Sequence, residues 1–215
     1  MKYKGAIFDL DGTLLDSMYV WDNAGELFLR KHGMEPAEDL AEAFRTLSLP
    51  EAAEYLCVHY KLSMMPQVAA DGINAVIEDA YFNEVQPKKG VVAFLNKLKS
   101  KDIRMCIATA TDRYLVEAAL KRCCLYDYFS YIITCADVGK GKSNPDVFDE
   151  AQKRLELNKE ECVVFEDALH AIETAKKAGY RVVAVGDTSE NKNRALIIKT
   201  ADIFVDSFDD MEVCL

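Results

Sequence analysis

The sequence has 215 residues and a formal net charge of −10; 50% of the residues are hydrophobic and 29% are charged. These values are ordinary for a globular protein and suit one large domain, or a medium domain that carries an insertion. The acidic balance argues against nucleic acid as the main partner, because binding to a phosphate backbone requires a basic surface.

No secretion signal or membrane span is evident along the chain. The N-terminal apolar run is short and ends in acidic residues, and no stretch approaches the ~18 apolar residues that a bilayer span needs. The chain has 7 cysteines, an odd number, and they lack Cys-x-x-Cys spacing. We therefore expect free thiols in a cytoplasmic protein that has no membrane partner.

A single apolar run, residues 5–10, predicts the first strand, and the stretch that follows contains only helical patterns. Its predicted helices cover residues 19–31, 39–47, 50–60 and 67–85, with glycine and proline residues between them. About 70 helical residues are too many for a simple crossover between two strands of one sheet. We interpret residues 17–87 as an inserted helical domain, and residues 1–16 and 88–215 as the core domain.

After this insert, short apolar runs alternate with helical patterns. Strands are predicted at residues 103–109, 131–134, 162–165, 181–185 and 203–205, and helices at 91–100, 112–124, 145–157 and 168–178. Nearly continuous apolar strands are typical of a parallel sheet that is buried on both faces. Asn144 is a candidate N-cap and Gly179 a candidate C-terminal stop. The alternation predicts an α/β fold, a doubly wound Rossmann-like sheet.

Polar residues follow several of these strands at the point where each strand ends. Asp9 and Asp11 follow the first strand, Thr109 and Ala110 the second, and Lys142 lies in a loop before a helix. Glu166 and Asp167 end a later strand. In an open α/β sheet, ligands bind at the carboxyl ends of the strands, so these residues are expected to form one site.

The chemistry of this set favours phosphoryl transfer. Carboxylate oxygens are the ligands that Mg²⁺ prefers. A lysine and the free N–H groups of a helix N-terminus suit a phosphate group. Two carboxylates remain for a nucleophile and an acid/base, which is sufficient for a covalent phosphoryl-transfer cycle.

The motifs resemble those of the haloacid dehalogenase superfamily, in the subgroup with a helical cap inserted after the first strand. The Asp-Leu-Asp-Gly-Thr-Leu run that begins at Asp9 is similar to the first motif, and Thr109 matches the second. The run from Gly141 through Lys142 to Phe148 is similar to the third motif, with Ser143 in place of a proline. The Glu-Asp pair at Asp167 resembles the fourth motif.

This resemblance implies a role for each residue. Asp9 is the nucleophile, and Asp11 is the acid/base. The implied Mg²⁺ ligands are Asp9, the Asp11 main-chain carbonyl and Asp167, with Glu166 a ligand or a helper. The phosphate-binding groups are Thr109, Ala110 and Lys142. Ala168 and Ala171 depart from the pattern, since the subgroup usually has Ser and Gly there.

The resemblance leaves several functions open. The related β-phosphoglucomutases carry a cap histidine where this chain has Trp21, and Arg45 matches one of their basic cap residues. Hydrolysis of a small, sugar phosphate-like metabolite by a monomer is therefore favoured over a mutase. Trp21 and Arg45 are candidate substrate contacts. A silent binding module and a dehalogenase are disfavoured, because the catalytic acids and the second aspartate are all present.

Overall fold

The computed structural model describes residues 3–37, 40 and 49–211. Contacts divide the chain into two units, one formed by Met1–Asp16 and Val85–Leu215 and the other by Ser17–Glu84. The helical insert was predicted to end at residue 87, but the second unit ends at Glu84. The reason is that Gln86–Pro87 forms a short antiparallel pair with Leu15–Asp16 and so belongs to the first unit.

The first unit contains a six-stranded sheet in which every pairing is parallel. The strands in chain order are β1 (Gly5–Phe8), β2 (Leu15–Asp16), β3 (Gln86–Pro87), β4 (Arg104–Thr109), β5 (Tyr131–Thr134), β6 (Cys162–Glu166), β7 (Arg181–Val185) and β8 (Ile203–Val205). The order in the sheet is β5-β4-β1-β6-β7-β8, and β2 and β3 form a separate two-stranded sheet. The predicted parallel Rossmann-like sheet is confirmed.

The helices of the described residues are α1 (Met18–Lys31), α2 (Leu49–His59), α3 (Pro66–Asn83), α4 (Val91–Lys99), α5 (Arg113–Arg122), α6 (Cys135–Val138), α7 (Asp146–Arg154), α8 (Leu169–Lys177) and α9 (Arg194–Thr200). The strands and helices predicted after the insert begin and end within a few residues of their predicted bounds. The predicted helix at residues 39–47 lies outside the described residues, apart from residue 40.

Helix capping was predicted less well than helix position. Pro145, not Asn144, precedes α7, and no side chain caps that helix. Asn144 instead belongs to a turn in which its own N–H donates to the Gly141 carbonyl over 3.0 Å. The expected stop at Gly179 is confirmed: its φ is +92°, a backbone conformation that glycine adopts without a steric cost.

Apolar side chains cover both faces of the large sheet, as the continuous strands predict. On one face Ile7 and Val164 join a buried cluster with Phe148 of α7 and Ile172 of α8. On the other face aromatic rings pack together. Phe8 stacks on Phe165 with ring centroids 4.4 Å apart, and Phe94 of α4 meets both rings edge-on. This burial anchors the strands whose ends carry the polar residues.

The regular elements described in the second unit are α1, α2 and α3. Helix α3 packs against both of the others. Gly72 in α3 lies so close to Phe28 of α1 that a Cβ atom there would come within 2.4 Å of the ring. Within the described ranges, we find no helix of a length and apolarity suited to crossing a membrane.

The cysteines of the described residues are free thiols, as predicted. Cys106 and Cys162 are buried in strands β4 and β6. Burial raises the pKa of the Cys162 thiol to about 11, which keeps it protonated near neutral pH. Cys214 lies outside the described residues.

Candidate active site

Three neighbouring strands bring the predicted polar residues to one edge of the large sheet. Strand β1 lies between β4 and β6. Asp9 directly follows β1, Thr109 is the last residue of β4, and Glu166 is the last residue of β6. The Asp9 N–H donates to the Phe165 carbonyl over 2.9 Å, which continues the pairing of β1 with β6. The three side chains therefore lie side by side.

The centre of the site is a buried cluster of three carboxylates, Asp9, Glu166 and Asp167. One carboxylate oxygen from each residue lies within 4.8 Å of the other two. The Lys142 ammonium is also buried and forms ion pairs with Asp9 and, over 3.1 Å, with Glu166. The predicted lysine and three of the four predicted acids thus meet at one point.

Electrostatics at this cluster favour an additional positive charge. Burial, followed by the charge of Asp9, raises the pKa values of Glu166 and Asp167 well above the ordinary range. Burial alone would lower the pKa of Lys142, but Asp9 and Glu166 outweigh it and raise that pKa. One lysine faces three acids, so ionised carboxylates are left without full compensation. Three converging carboxylates with oxygen donors fit a hard divalent cation such as Mg²⁺.

Asp11 is not one of the three grouped carboxylates. Its side chain is partly exposed, and its Oδ2 accepts a hydrogen bond from the Thr111 hydroxyl over 2.6 Å. Gly12 follows it in a turn after β1 and has φ +77°, in the left-handed region that glycine adopts without a steric cost. The Asp11 carboxylate, which can exchange protons with a ligand, thus lies only two residues after the buried Asp9.

The second strand end provides a hydroxyl and a helix N-terminus. Thr109 is fully buried, and its hydroxyl oxygen accepts a hydrogen bond from the Thr111 N–H over 3.1 Å. Ala110 is exposed in the loop that leads into α5. Asp112 precedes α5 without making a capping hydrogen bond with its side chain. The Asp112 side chain therefore accepts no bond from the first N–H groups of this helix, whereas its main-chain carbonyl accepts one from the Leu115 N–H over 3.0 Å.

Two threonines in the site were not assigned roles from the sequence. The Thr13 hydroxyl donates to Asp167 over 2.7 Å, although 154 residues separate them. The Thr111 hydroxyl donates to the Asp11 carboxylate. Thr13 stands within the first motif and Thr111 in the hydroxyl-rich turn after β4, so their positions were a usable signal. Their partners depend on the strand order.

A third contact also escaped the sequence analysis. Asp187 lies two residues after β7, and its side chain accepts a hydrogen bond from the Ser189 N–H over 2.9 Å. It also forms a 2.8 Å ion pair with Lys88, in which the Asp187 side chain is only 5% exposed. Burial would raise the pKa of Asp187, but hydrogen bonds from Lys88 and Ser189 outweigh it and lower that pKa.

A cavity of about 680 Å³ lies beside β5, apart from this cluster, and its lining includes Arg113, Asp137, Glu150 and Arg154. The two arginines are already paired, Arg113 with Asp137 and Arg154 with Glu150, each over 2.7 Å. Because each positive charge has a carboxylate partner, the cavity has no surplus positive charge for a phosphate group.

Comparison with known families decides the classification of this site. The sequence model of the haloacid dehalogenase-like hydrolases matches residues 6–185, a segment that contains every carboxylate of the cluster together with Lys142. The chain belongs to the haloacid dehalogenase-like hydrolases. The resemblance drawn from four motifs is confirmed by this match.

Relatives of this hydrolase include named phosphatases. The "Phosphorylated carbohydrates phosphatase" of Thermotoga maritima is 26% identical over 194 residues, which is 90% of this chain and 90% of that protein. "Hexitol phosphatase A" of Escherichia coli is 29% identical over 194 residues, covering 86% of this chain and 84% of that protein.

A solved structure shows that the fold extends to mutases. The β-phosphoglucomutase of Clostridium difficile superimposes with a TM-score of 0.71 at 21% identity, covering 98% of this chain and 94% of that one. At this identity the likeness shows the fold alone. The distinction between hydrolase and mutase must therefore come from individual residues.

Of the two candidate substrate contacts, Trp21 lies among the described residues and Arg45 does not. Trp21 lies in α1 and is 37% exposed, and its indole N–H donates to the Tyr81 hydroxyl over 2.8 Å. This bond fixes the ring on the helical unit and leaves part of its surface open. Arg45 lies outside the described residues.

The two departures from the family pattern are accommodated by packing. Ala171 is fully buried, and Ala168 packs against the same hydrophobic cluster. Ala168 occupies the position before α8, where its side chain makes no capping bond. The acidic pair that precedes it keeps its place in the cluster with Asp9.

Proposed function

We propose that this protein is a magnesium-dependent phosphatase that hydrolyses a small phosphorylated metabolite through an aspartyl-phosphate intermediate. The observation that carries the proposal is the placement of two aspartates in different surroundings. Asp9 is buried against Lys142, whereas Asp11 is partly exposed and held by Thr111. Two carboxylates in unlike environments suit two different roles, nucleophile and acid/base.

In the first step, a carboxylate oxygen of Asp9 attacks the phosphorus of the ester. A bond forms between Asp9 and phosphorus, and the bond from phosphorus to the alcohol oxygen breaks. The leaving alcohol takes its proton from Asp11. Lys142, which contacts Asp9, reduces the repulsion between an anionic nucleophile and an anionic substrate.

In the second step, Asp11 acts as a base. It removes a proton from a water molecule, and the resulting hydroxide attacks the phosphorus of the aspartyl phosphate. The bond between Asp9 and phosphorus breaks, inorganic phosphate leaves, and both aspartates return to their initial states. The Thr111 hydroxyl supports this exchange by keeping the Asp11 carboxylate in one orientation.

The remaining residues hold the phosphoryl group and a metal ion. Thr109, the Ala110 N–H and Lys142 are proposed to bind the phosphoryl oxygens, supported by the N-terminus of α5, where Asp112 makes no side-chain capping bond. Asp9, Glu166, Asp167 and the Asp11 main-chain carbonyl are proposed to hold Mg²⁺, supported by the convergence of the three carboxylates. When bound, Mg²⁺ would offset negative charge on the phosphoryl group.

The names of two relatives support the proposed substrate class. Two relatives are named as phosphatases of phosphorylated carbohydrates and of hexitol phosphates, which supports a sugar phosphate-like substrate. The helical unit is proposed to be the substrate-selecting cap, with Trp21 and Arg45 as its candidate contacts. A monomer in the cytoplasm remains our prediction.

The test is hydrolysis of a panel of phosphorylated sugars, polyols and phosphoglycolate by the purified protein. Phosphate release should require Mg²⁺, cease in EDTA and be lost in Asp9→Asn. Asp210→Asn, an exposed acid near the end of the described chain, is the matched control and should keep full activity. Release that persists in Asp9→Asn would contradict the proposal.

The mutase alternative has its own readout in the same experiment. A mutase would convert β-glucose 1-phosphate to glucose 6-phosphate when a bisphosphate is added, and would release little phosphate. The chain has Trp21 at the cap position where the mutases carry a histidine, and its indole N–H is engaged by Tyr81. This observation favours hydrolysis.

A further inference from the structure

Lys88 forms several hydrogen bonds beside the turn at Asp11–Thr13. It directly follows β3, and its backbone N–H donates to the Leu14 carbonyl over 2.8 Å. Its ammonium donates to the Gly12 carbonyl over 2.7 Å, to the Gly186 carbonyl over 2.7 Å and to Asp187 over 2.8 Å. A lysine ammonium has three N–H donors, so all of them are engaged.

These contacts define what Lys88 can do. Its side chain is 15% exposed, and its ion-pair partner Asp187 is 5% exposed. An ammonium whose three donors already reach protein acceptors is not arranged to hold a phosphate group. Lys88 therefore differs from Lys142, which meets the nucleophile itself. Its contacts are suited to fixing the position of other groups.

The acceptor that matters most for catalysis is the Gly12 carbonyl. Gly12 lies between Asp11 and Thr13 and has φ +77°. The positions of these two neighbours depend on the backbone conformation of Gly12. Asp11 accepts the Thr111 hydrogen bond, and Thr13 donates to Asp167. A bond to the Gly12 carbonyl restrains the peptide that links these residues. It therefore acts on the proposed acid/base and on a proposed metal ligand together.

We infer that Lys88 is a positioning residue of the phosphatase, which holds the turn at Asp11–Thr13 in its reactive geometry through the Gly12 carbonyl. The inference rests on the proposed function. Lys88 and Gly12 are 76 residues apart and meet because β2 pairs with β3, which places Lys88 beside Leu14. Asp187 compensates the lysine charge and Gly186 provides the remaining acceptor.

The test compares Lys88→Met with Lys89→Met. Lys89 is the matched control, because its side chain is 85% exposed and it pairs only with the surface residue Asp209 among the described contacts. Lys88→Met should lower kcat by about 10- to 100-fold and change KM by less than about threefold, since the lost restraint acts on the transition state. Lys89→Met should leave both constants unchanged.

A purely structural role for Lys88 gives a different result. In that case Lys88→Met lowers the free energy of unfolding, but kcat per folded molecule stays at the wild-type value, and the inference is overturned. If Lys88→Met does not fold, Lys88→Arg decides. Its planar guanidinium cannot reproduce three converging ammonium bonds. A kcat equal to wild type refutes the inference, and a lower kcat with unchanged KM supports it.

Failure of the proposed function can be told apart from failure of this inference. If the wild-type protein hydrolyses no phosphate ester, the proposed function fails, and amide hydrogen exchange of the segment 9–15 tests Lys88 alone. Faster exchange there in Lys88→Met than in Lys89→Met supports the restraint on the turn. Equal exchange in the two variants overturns it.

Discussion

The Thr111 hydroxyl donates a 2.6 Å hydrogen bond to the Asp11 carboxylate, although 100 residues separate the two. They meet because Asp11 follows β1, Thr111 follows β4, and the two strands are neighbours in the sheet. A bond this short to a carboxylate restricts the rotation of that side chain. Thr111 therefore sets the direction in which the proposed acid/base presents its oxygens.

Replacing Thr111 by valine should impair catalysis more than folding. Valine has a similar shape but no hydroxyl, so Asp11 loses its 2.6 Å donor. We expect kcat to fall by about 10- to 100-fold, the effect of losing a hydrogen bond to a charged group. Thr111→Ser keeps the hydroxyl and is the control. Equal activity of the two variants would show that this bond does not orient Asp11.

Magnesium should stabilise the protein through the buried carboxylates. At a concentration 100-fold above its Kd, a ligand that binds only the folded state adds about 2.7 kcal/mol to the free energy of unfolding. Melting in EDTA and in excess Mg²⁺ should therefore differ by several degrees in the wild-type protein and little in Asp167→Asn. Asp209→Asn, a surface variant, should respond as wild type does. A Mg²⁺ response that survives in Asp167→Asn would place the ion elsewhere.

The Lys88–Asp187 pair predicts a pH-dependent contribution to stability. The pKa of Asp187 is lowered because hydrogen bonds from Lys88 and Ser189 outweigh burial. A carboxyl whose folded-state pKa is below its unfolded value stabilises the fold above that unfolded value, which is about 3.9 for Asp, and loses this effect as the pH falls through the folded-state pKa. Asp187→Asn should thus cost about 1–3 kcal/mol at pH 7.

This cost should shrink as the pH falls below the unfolded-state pKa toward the lower folded-state pKa of Asp187, because protonation then removes the same charge from the wild-type protein. Urea unfolding at several pH values measures the difference. The control is Asp209→Asn, which removes an exposed 2.9 Å pair with Lys89 and should change stability by less than about 1 kcal/mol. A difference between Asp187→Asn and wild type that is constant from pH 7 to acid would disprove the assignment.

Variants can separate a substrate contact of the Trp21 ring from the hydrogen bond that Trp21 donates to Tyr81. Trp21→Phe and Tyr81→Phe remove the same 2.8 Å hydrogen bond, so both should lower stability by about 1 kcal/mol. Only Trp21→Leu removes the exposed ring as well. If that ring contacts the substrate, KM should rise by about 3- to 10-fold in Trp21→Leu and stay near wild type in Tyr81→Phe. Equal KM values would assign Trp21 to the packing of the helical unit.

The sequence predicted the sheet well because its strands are nearly continuous apolar runs. Strands β5, β7 and β8 have the predicted bounds, since a continuous apolar run between turn residues has few alternatives. Helix caps were predicted less well. Asn144 does not cap its helix with its side chain, because capping depends on a local backbone geometry that composition does not fix.

The sequence by itself determined which residues are proposed to carry the chemistry. Asp9, Asp11 and the Glu166–Asp167 pair occupy recognisable positions at strand ends, and Lys142 lies in a loop before a helix. Chemistry limits what such residues can do. Only the tertiary structure decided the supporting contacts, such as Thr13 with Asp167 and Lys88 with Gly12 and Asp187. These partners lie 76 to 154 residues apart. They meet through strand order and the pairing of β2 with β3, which arise from packing the whole chain.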